Sequence, residues 1–173
     1  MKFNEAVEQL VESKVSEKIP LKKAKEIASA LLKKLAPLIS KVEVAGSMRR
    51  KKNEIGDIDL VVQVKPSESS ASLLTFLKTL DKDASGGEKK LKMTFEGRPI
   101  EFWLTTPETF SSMMMTATGP VNYNIRYRAL AKRAGYMLNQ YGLWDSSGKK
   151  IASTEEEIYK ALGQKFKDPE LRA

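Results

Sequence analysis

Gly46-Ser47-Met48-Arg49-Arg50, followed after six residues by Asp57-Ile58-Asp59-Leu60-Val61-Val62, is the stretch that decides the fold. Asp57 to Val64 is rich in Ile, Leu and Val and reads as a buried strand. In a strand, residues i and i+2 point to the same face, with Cα atoms about 6.6–7 Å apart. Asp57 and Asp59 therefore share one face of an apolar strand. Two carboxylates so placed repel each other unless a cation lies between them, and burying them unpaired is unfavourable. A strand that starts at a solvated edge would tolerate two Asp, so the pair alone is a weak signal.

The neighbouring residues sharpen it. Gly46-Ser47 is a small-residue turn, where backbone N–H groups and a hydroxyl can approach a phosphate closely. Arg49 and Arg50 follow, and the planar guanidinium is well suited to gripping phosphate oxygens. A phosphate grip followed by a carboxylate pair is the layout needed to hold a metal–triphosphate complex. Two-metal phosphoryl transfer usually needs a further carboxylate, which a neighbouring strand would supply. Glu101, inside the apolar run Ile100-Glu101-Phe102-Trp103-Leu104, is the candidate. The plain alternative for Glu101 is an outward-facing residue on a half-buried strand.

Composition restricts the chemistry further. The chain has 173 residues, 30 Lys and Arg against 22 Asp and Glu, a net charge of +8, and no His or Cys. That excludes a thiolate or imidazole zinc site, a disulfide framework, a Cys nucleophile and any His-based triad. Carboxylates alone favour hard cations such as magnesium or manganese. Apolar stretches are broken by Lys or Pro, so no segment could span a bilayer. The start lacks an apolar signal region, so a protein of a cell interior is expected, with no membrane partner. Residues 21–52 carry ten Lys or Arg and two Glu, and Arg126, Arg128, Lys132 and Arg133 crowd one expected helix. Such asymmetry suggests a face for phosphates.

Periodicity sets out the remaining elements. Apolar positions at helical spacing predict helices over 4–17 and, after Pro20, over 21–35. A β-type run at 42–45 precedes the Gly46-Ser47 turn. A polar link at 67–72 leads to a helix over 73–80. Leu91 to Phe95 and Ile100 to Leu104 predict a hairpin around Glu96-Gly97. Beyond Thr105 the pattern is mostly helical, over 108–115 and 121–134, with a short hairpin at 136–145. Ser153-Thr154-Glu155-Glu156 reads as a capping box opening a last helix to Leu162. The expected fold is α+β: residues 1–104 with a mixed, mainly antiparallel sheet, and residues 105–173 as a smaller, mostly helical piece. Met113-Met114-Met115, Trp103 and Trp144 read as packing residues, and Lys22, Lys23, Lys25, Lys33 and Lys34 as a solvated helix face.

Gly46-Ser47-x-Arg49-Arg50 with Gly56-Asp57-Ile58-Asp59 resembles the signature of the DNA polymerase X family, which contains polymerase beta. Gly87-Glu88-Lys89-Lys90, Ile100-Glu101-Phe102, Thr118-Gly119-Pro120, Asn124, Arg128-Ala129-Leu130-Ala131 and Leu138-Asn139-Gln140-Tyr141-Gly142-Leu143 follow in family order. The likeness runs from about Ile19 to the C-terminus and is closest to the compact viral members.

The resemblance implies a nucleotidyltransferase palm followed by a C-terminal subdomain that binds nucleotide and template. Asp57 and Asp59 would bind two magnesium ions, with manganese able to substitute. Glu101 would bind the ion at the primer 3′ hydroxyl. Gly46, Ser47, Arg50 and, more weakly, Arg49 would meet the triphosphate, with Gly56 beside it. Thr118, Gly119 and Tyr123 would lie near the nucleotide, and Asn124 at its minor-groove edge. Lys90, Arg128, Asn139, Gln140 and Tyr141 would contact DNA. Three departures stand out. Glu101 replaces the usual Asp, Thr116-Ala117 replaces an aromatic pair that helps reject ribonucleotides, and Val121 stands where an acid is frequent. The helix–hairpin–helix region and lyase domain of larger members are not recognisable, so no lyase activity is expected.

The function implied is template-directed addition of dNMP to a primer 3′ end in gapped or primer–template DNA, as in short-gap repair, by a monomer. Two alternatives stay open at this point. One is a template-independent nucleotidyltransferase, which would not need Asn124 and Arg128. The other is a non-catalytic DNA-binding module retaining only the basic surface.

Overall fold

Pro20 fixes where the first helix of the described residues begins. It closes β1 (Ile19–Pro20), and α1 (Leu21–Leu35) follows at once. Its fixed φ suits a helix start, where a missing N–H costs nothing. The computed structural model describes residues 17–172; the helix expected at 4–17 lies, up to residue 16, outside the described residues. On α1 the expected stripe Ala24, Ile27, Ala28, Leu31 and Leu35 is buried, while the five lysines are exposed.

The next elements are β2 (Ile39–Val44), α2 (Gly46–Arg49), β3 (Glu54–Ile55), β4 (Ile58–Val64) and α3 (Ser70–Leu80). After them come β5 (Ser85–Gly86), β6 (Lys90–Phe95) and β7 (Arg98–Leu104). Five strands form one sheet in the order β2-β4-β7-β6-β5. β4 and β7 are parallel and the other neighbours antiparallel, so the sheet is mixed and mainly antiparallel. β3 pairs separately with β1.

Alternation along β4 and β7 sorts the sheet's two faces. Ile58, Leu60 and Val62 of β4, with Ile100, Phe102 and Leu104 of β7, join the core formed with α1 and α3. Asp59 and Val61, with Glu101 and Trp103, point the other way, as the period of two requires. The parallel register sets Asp59 beside Glu101 and Val61 beside Trp103. A link between distant strands therefore brings two acids side by side.

Three expectations shift here. The strand expected from Asp57 begins at Ile58, so Asp57 stands exposed just before β4, where a carboxylate stays solvated, while Asp59 lies within the strand. Gly46 and Ser47 are not a free turn but the first residues of the short helix α2. The serines expected as a polar link begin α3 instead: Ser69 Oγ accepts from the Ser72 N–H, and the Ser72 hydroxyl answers to Ser69. That reciprocal cap supplies partners for orphan N–H groups and starts the helix three residues early.

The C-terminal part contains α4 (Phe110–Thr118), entered through a 3₁₀ turn at Pro107–Thr109, and α5 (Val121–Arg133). It continues with β8 (Met137–Asn139), β9 (Gly142–Trp144), β10 (Lys150–Ala152) and α6 (Glu155–Ala161). The three strands form an antiparallel sheet, one strand more than the hairpin expected. The last helix is capped by Thr154 with Glu157, one residue later than the sequence pattern placed it. α4 is the seam. Met115 joins the C-terminal core, whereas Phe110, Met113, Met114 and Ala117 pack with Val61 and Ala45 against the sheet. The methionine triplet is thus buried packing on both sides of the seam.

Candidate active site

The cleft between the sheet and the α4–α5 junction has a volume of about 520 Å³. Gly46, Ser47, Arg50, Asp57, Asp59 and Trp103 line it from one side. Thr118, Gly119, Asn124, Arg128 and Gln140 line it from the other. Residues far apart in sequence thus converge on the strand edge where the two acids begin. Gly56 opens onto an adjoining hollow that shares Ser47, Arg50 and Asp57 and adds Lys18 and Lys52.

Gly46 is required by close approach. Its φ is +53, and a Cβ there would lie 2.0 Å from Oδ2 of Asp59. Any larger residue would displace that carboxylate. The backbone locks the same contact, since the Ala45 N–H donates to the Asp59 carbonyl at 2.8 Å. Arg50 reaches across the cleft and donates to the Thr118 carbonyl, joining α2 to the end of α4. Gly119, at φ +59, carries the chain round into α5.

Negative charge is concentrated in this cleft. Burial, with the nearby charges of Asp57 and Glu101, pushes the Asp59 carboxyl up to about 6, against a hydrogen bond from Trp103 and the charge of Lys90. Burial holds Arg50 below its ordinary value, while Asp59 and Asp57 pull it back. Ser47 Oγ and Arg50 Nε are buried without a hydrogen-bond partner among the described residues. Buried polar groups are nearly always paired; of the unpartnered atoms, Ser47 Oγ and Arg50 Nε belong to residues lining the cleft, whereas Arg172 Nη1 lies in the C-terminal core.

The remaining expected site residues divide. Asn124 Nδ2 donates to the Thr116 carbonyl at 2.8 Å, which holds its amide at the cleft wall. Glu101 lies beside Asp59 by register, but Lys90 Nζ holds its Oε2 at 2.6 Å. Lys90, expected on DNA, is therefore engaged within the sheet. Among the described residues no three acids form a closed cluster. Arg49, expected at the phosphates, turns away from the cleft. Its Nη1 meets Glu155 at 2.6 Å and the Thr118 hydroxyl at 2.8 Å. Tyr123, expected near the base pair, is buried behind α5 with its hydroxyl on that of Tyr159, and burial pushes it up to about 12. Asn139 spends its Oδ1 on the Tyr141 N–H at 2.8 Å and the Trp144 indole, shaping the β8–β9 turn. Tyr141 packs at the seam, which leaves Gln140 as the residue this turn sends into the cleft.

Two features escaped sequence reasoning. Glu155 bridges Arg49 and Arg172, with Arg172 Nη2 at 2.8 Å, and both Glu155 and Arg172 are buried. Partners separated by 106 residues leave no local pattern. Trp103 is not simple packing, since its indole N–H donates to Oδ1 of Asp59 at 3.1 Å.

The donor set fits a divalent cation. Two carboxylates face one cleft with a third alongside, the absence of a side chain at Gly46 leaves space at Oδ2 of Asp59, and burial disfavours the unneutralised charge of Asp59. A sheet bearing such acids beside a serine and an arginine with open hydrogen-bonding positions is the layout of a nucleotidyltransferase palm.

Comparison with known proteins agrees. Residues 18–95 match the model of the DNA polymerase beta palm, and residues 113–173 that of the DNA polymerase beta thumb. The "Repair DNA polymerase X" of African swine fever virus is 32% identical over 149 residues, covering 80% of this chain and 85% of the viral protein. The Bacillus subtilis "DNA polymerase/3'-5' exonuclease PolX" is 30% identical over 166 residues, 92% of this chain but 29% of that protein. The fold resembles Leishmania infantum polymerase beta in a ternary complex, with a TM-score of 0.78, 22% identity, and coverage of 92% of this chain and 78% of that one. The chain belongs to the polymerase X family, a family of DNA-directed DNA polymerases. No helix among the described residues is long and apolar enough to cross a membrane.

Proposed function

We propose that this chain extends a primer 3′ end across short DNA gaps, one templated nucleotide at a time, as a monomer. The observation that carries the reading is a single cleft holding Asp57 and Asp59, the unpartnered Ser47 and Arg50 atoms, and the α5 residues Asn124 and Arg128.

Asp57, Asp59 and Glu101 would hold two divalent ions, magnesium or manganese, which neutralise the triphosphate and favour loss of the 3′ hydroxyl proton. Ser47 Oγ and Arg50 Nε donate to the non-bridging oxygens of the β- and γ-phosphates, which satisfies both orphan atoms. Gly46 leaves Asp59 room to approach the α-phosphate. Asn124 and Arg128 sit three and seven residues after Val121 on α5. On a helix that spacing shares a face, so both reach the nascent pair from one side. Positioning and charge neutralisation account for the catalysis, as is general for phosphoryl transfer. For Glu101 to serve, its carboxylate must leave Lys90, and the ions provide the competing charge.

The test is gap filling with each of the four dNTPs opposite each template base, in magnesium and in manganese. The reading predicts incorporation that follows the template. One nucleotide used regardless of template would point to an untemplated transferase. DNA binding with no pyrophosphate released in either metal would leave a binding module only.

A further inference from the structure

Trp103 stands where the family resemblance assigns nothing, yet it touches the most confined charge in the cleft. Its Nε1 donates to Oδ1 of Asp59 at 3.1 Å, while the bare backbone of Gly46 faces Oδ2. The two oxygens of one carboxylate are thus addressed from different sides. The indole is itself held: Lys90 Nζ lies 4.0 Å from its ring centroid, on the same ammonium that pairs with Glu101 at 2.6 Å. The register places Trp103 two residues along β7 from Glu101 on the cleft face. Lys90 and the indole of Trp103 therefore link Asp59 to Glu101.

We propose that Trp103 is a positioning residue for Asp59: its N–H sets the angle at which that carboxylate presents its oxygens to a divalent cation, with Lys90 clamping the indole. The proposal rests on reading the cleft as the polymerase metal site. A phenyl ring at position 103 could fill similar space but could not donate. Hydrogen bonds that orient ligating carboxylates typically matter about 10–100-fold in metal affinity or activity.

The experiment measures Mn²⁺ binding by electron paramagnetic resonance, without DNA or nucleotide, alongside gap filling. Trp103→Phe should weaken Mn²⁺ by about tenfold and lower kcat by a similar factor, with KM for dNTP changed by less than about twofold. Trp103→His, which restores a ring N–H, should recover part of the Mn²⁺ affinity. In a Trp144→Phe background, Mn²⁺ should quench the emission of Trp103. Unchanged Mn²⁺ affinity in a folded Trp103→Phe protein would overturn the proposal. So would an equal loss in Trp103→His, which would assign the effect to packing. If the unsubstituted protein binds Mn²⁺ in a Trp103-dependent way yet extends no primer, the polymerase reading fails and the positioning role stands.

Discussion

The sheet core and the C-terminal core are built from different materials. Under the sheet, Leu31, Leu60, Leu73, Leu77 and Phe102 are fully buried aliphatic and aromatic packing with no polar side chain among them. The C-terminal core stacks Tyr123 on Tyr127 at 4.6 Å and sets Tyr159 against both. It then buries Arg172 against these rings and pairs it with Glu155. Burial pulls Arg172 down, but the hydrogen bond and charge of Glu155, with Tyr159 and Tyr123, together hold it above its ordinary value. The hydrocarbon side carries the carboxylates. The side tied on through Arg49–Glu155 and Lys51–Glu170 carries Asn124 and Arg128, the residues proposed to face nucleotide and template. A hydrocarbon core fixes strand geometry, and at the seam the apolar packing of α4 on Val61 and Ala45 is joined by the Arg49–Glu155 and Lys51–Glu170 ion pairs.

The comparison can be broken first at Glu155. Glu155→Ala leaves Arg172 buried and unpaired, so it should cost about 4 kcal/mol in denaturant unfolding. Replacing Arg49, Glu155 and Arg172 together by Met, Leu and Met should recover most of that loss, which a merely local packing defect would not. On the hydrocarbon side, Leu60→Ala should cost about 3 kcal/mol by the same measurement, from lost transfer energy and a cavity.

Asp59 gives a smaller effect with a definite sign. Its folded value, about 6, lies above the ordinary carboxylate value, so the native state binds the proton more tightly than the unfolded chain. Metal-free protein should therefore lose stability as pH rises through about 4 to 6. The loss should be a little under about 3 kcal/mol, and largely absent in Asp59→Asn. Titration melts in EDTA check this, and added Mg²⁺ should restore stability at pH 7. Smallest is the cap: Thr154→Ala should cost about 1 kcal/mol, since Thr154 Oγ1 accepts from the Glu157 N–H at 3.2 Å.

What was legible in the sequence follows from the range of each interaction. α1 was readable from Pro20 and its apolar stripe, and β4 and β7 from their run of Ile, Val and Leu. The carboxylate pair was visible from its spacing, although β4 begins only at Ile58 and leaves Asp57 just before the strand, whereas Gly46-Ser47 looked like a turn because a helix as short as α2 shows no periodicity. The capping box slipped by a residue because Ser153 and Thr154 both suit an N-cap, and Glu155 is drawn instead to Arg49 and Arg172. Arg49 looked like a second phosphate grip, since nothing local reveals a partner 106 residues away. Lys90 looked like a DNA contact; strand register sets it opposite Trp103, and its ammonium reaches Glu101 diagonally. β10 was missed because Lys150 to Ala152 is too short to show alternation.

The central claim is that Asp57 and Asp59 form the metal-holding centre of a templated polymerase. It is tested most directly by extending a single-nucleotide gap with Asp59→Ala beside the unsubstituted protein, while following duplex DNA binding on the same preparations. The account predicts that metal-dependent extension is lost and DNA binding is retained. Unchanged extension by Asp59→Ala would contradict it.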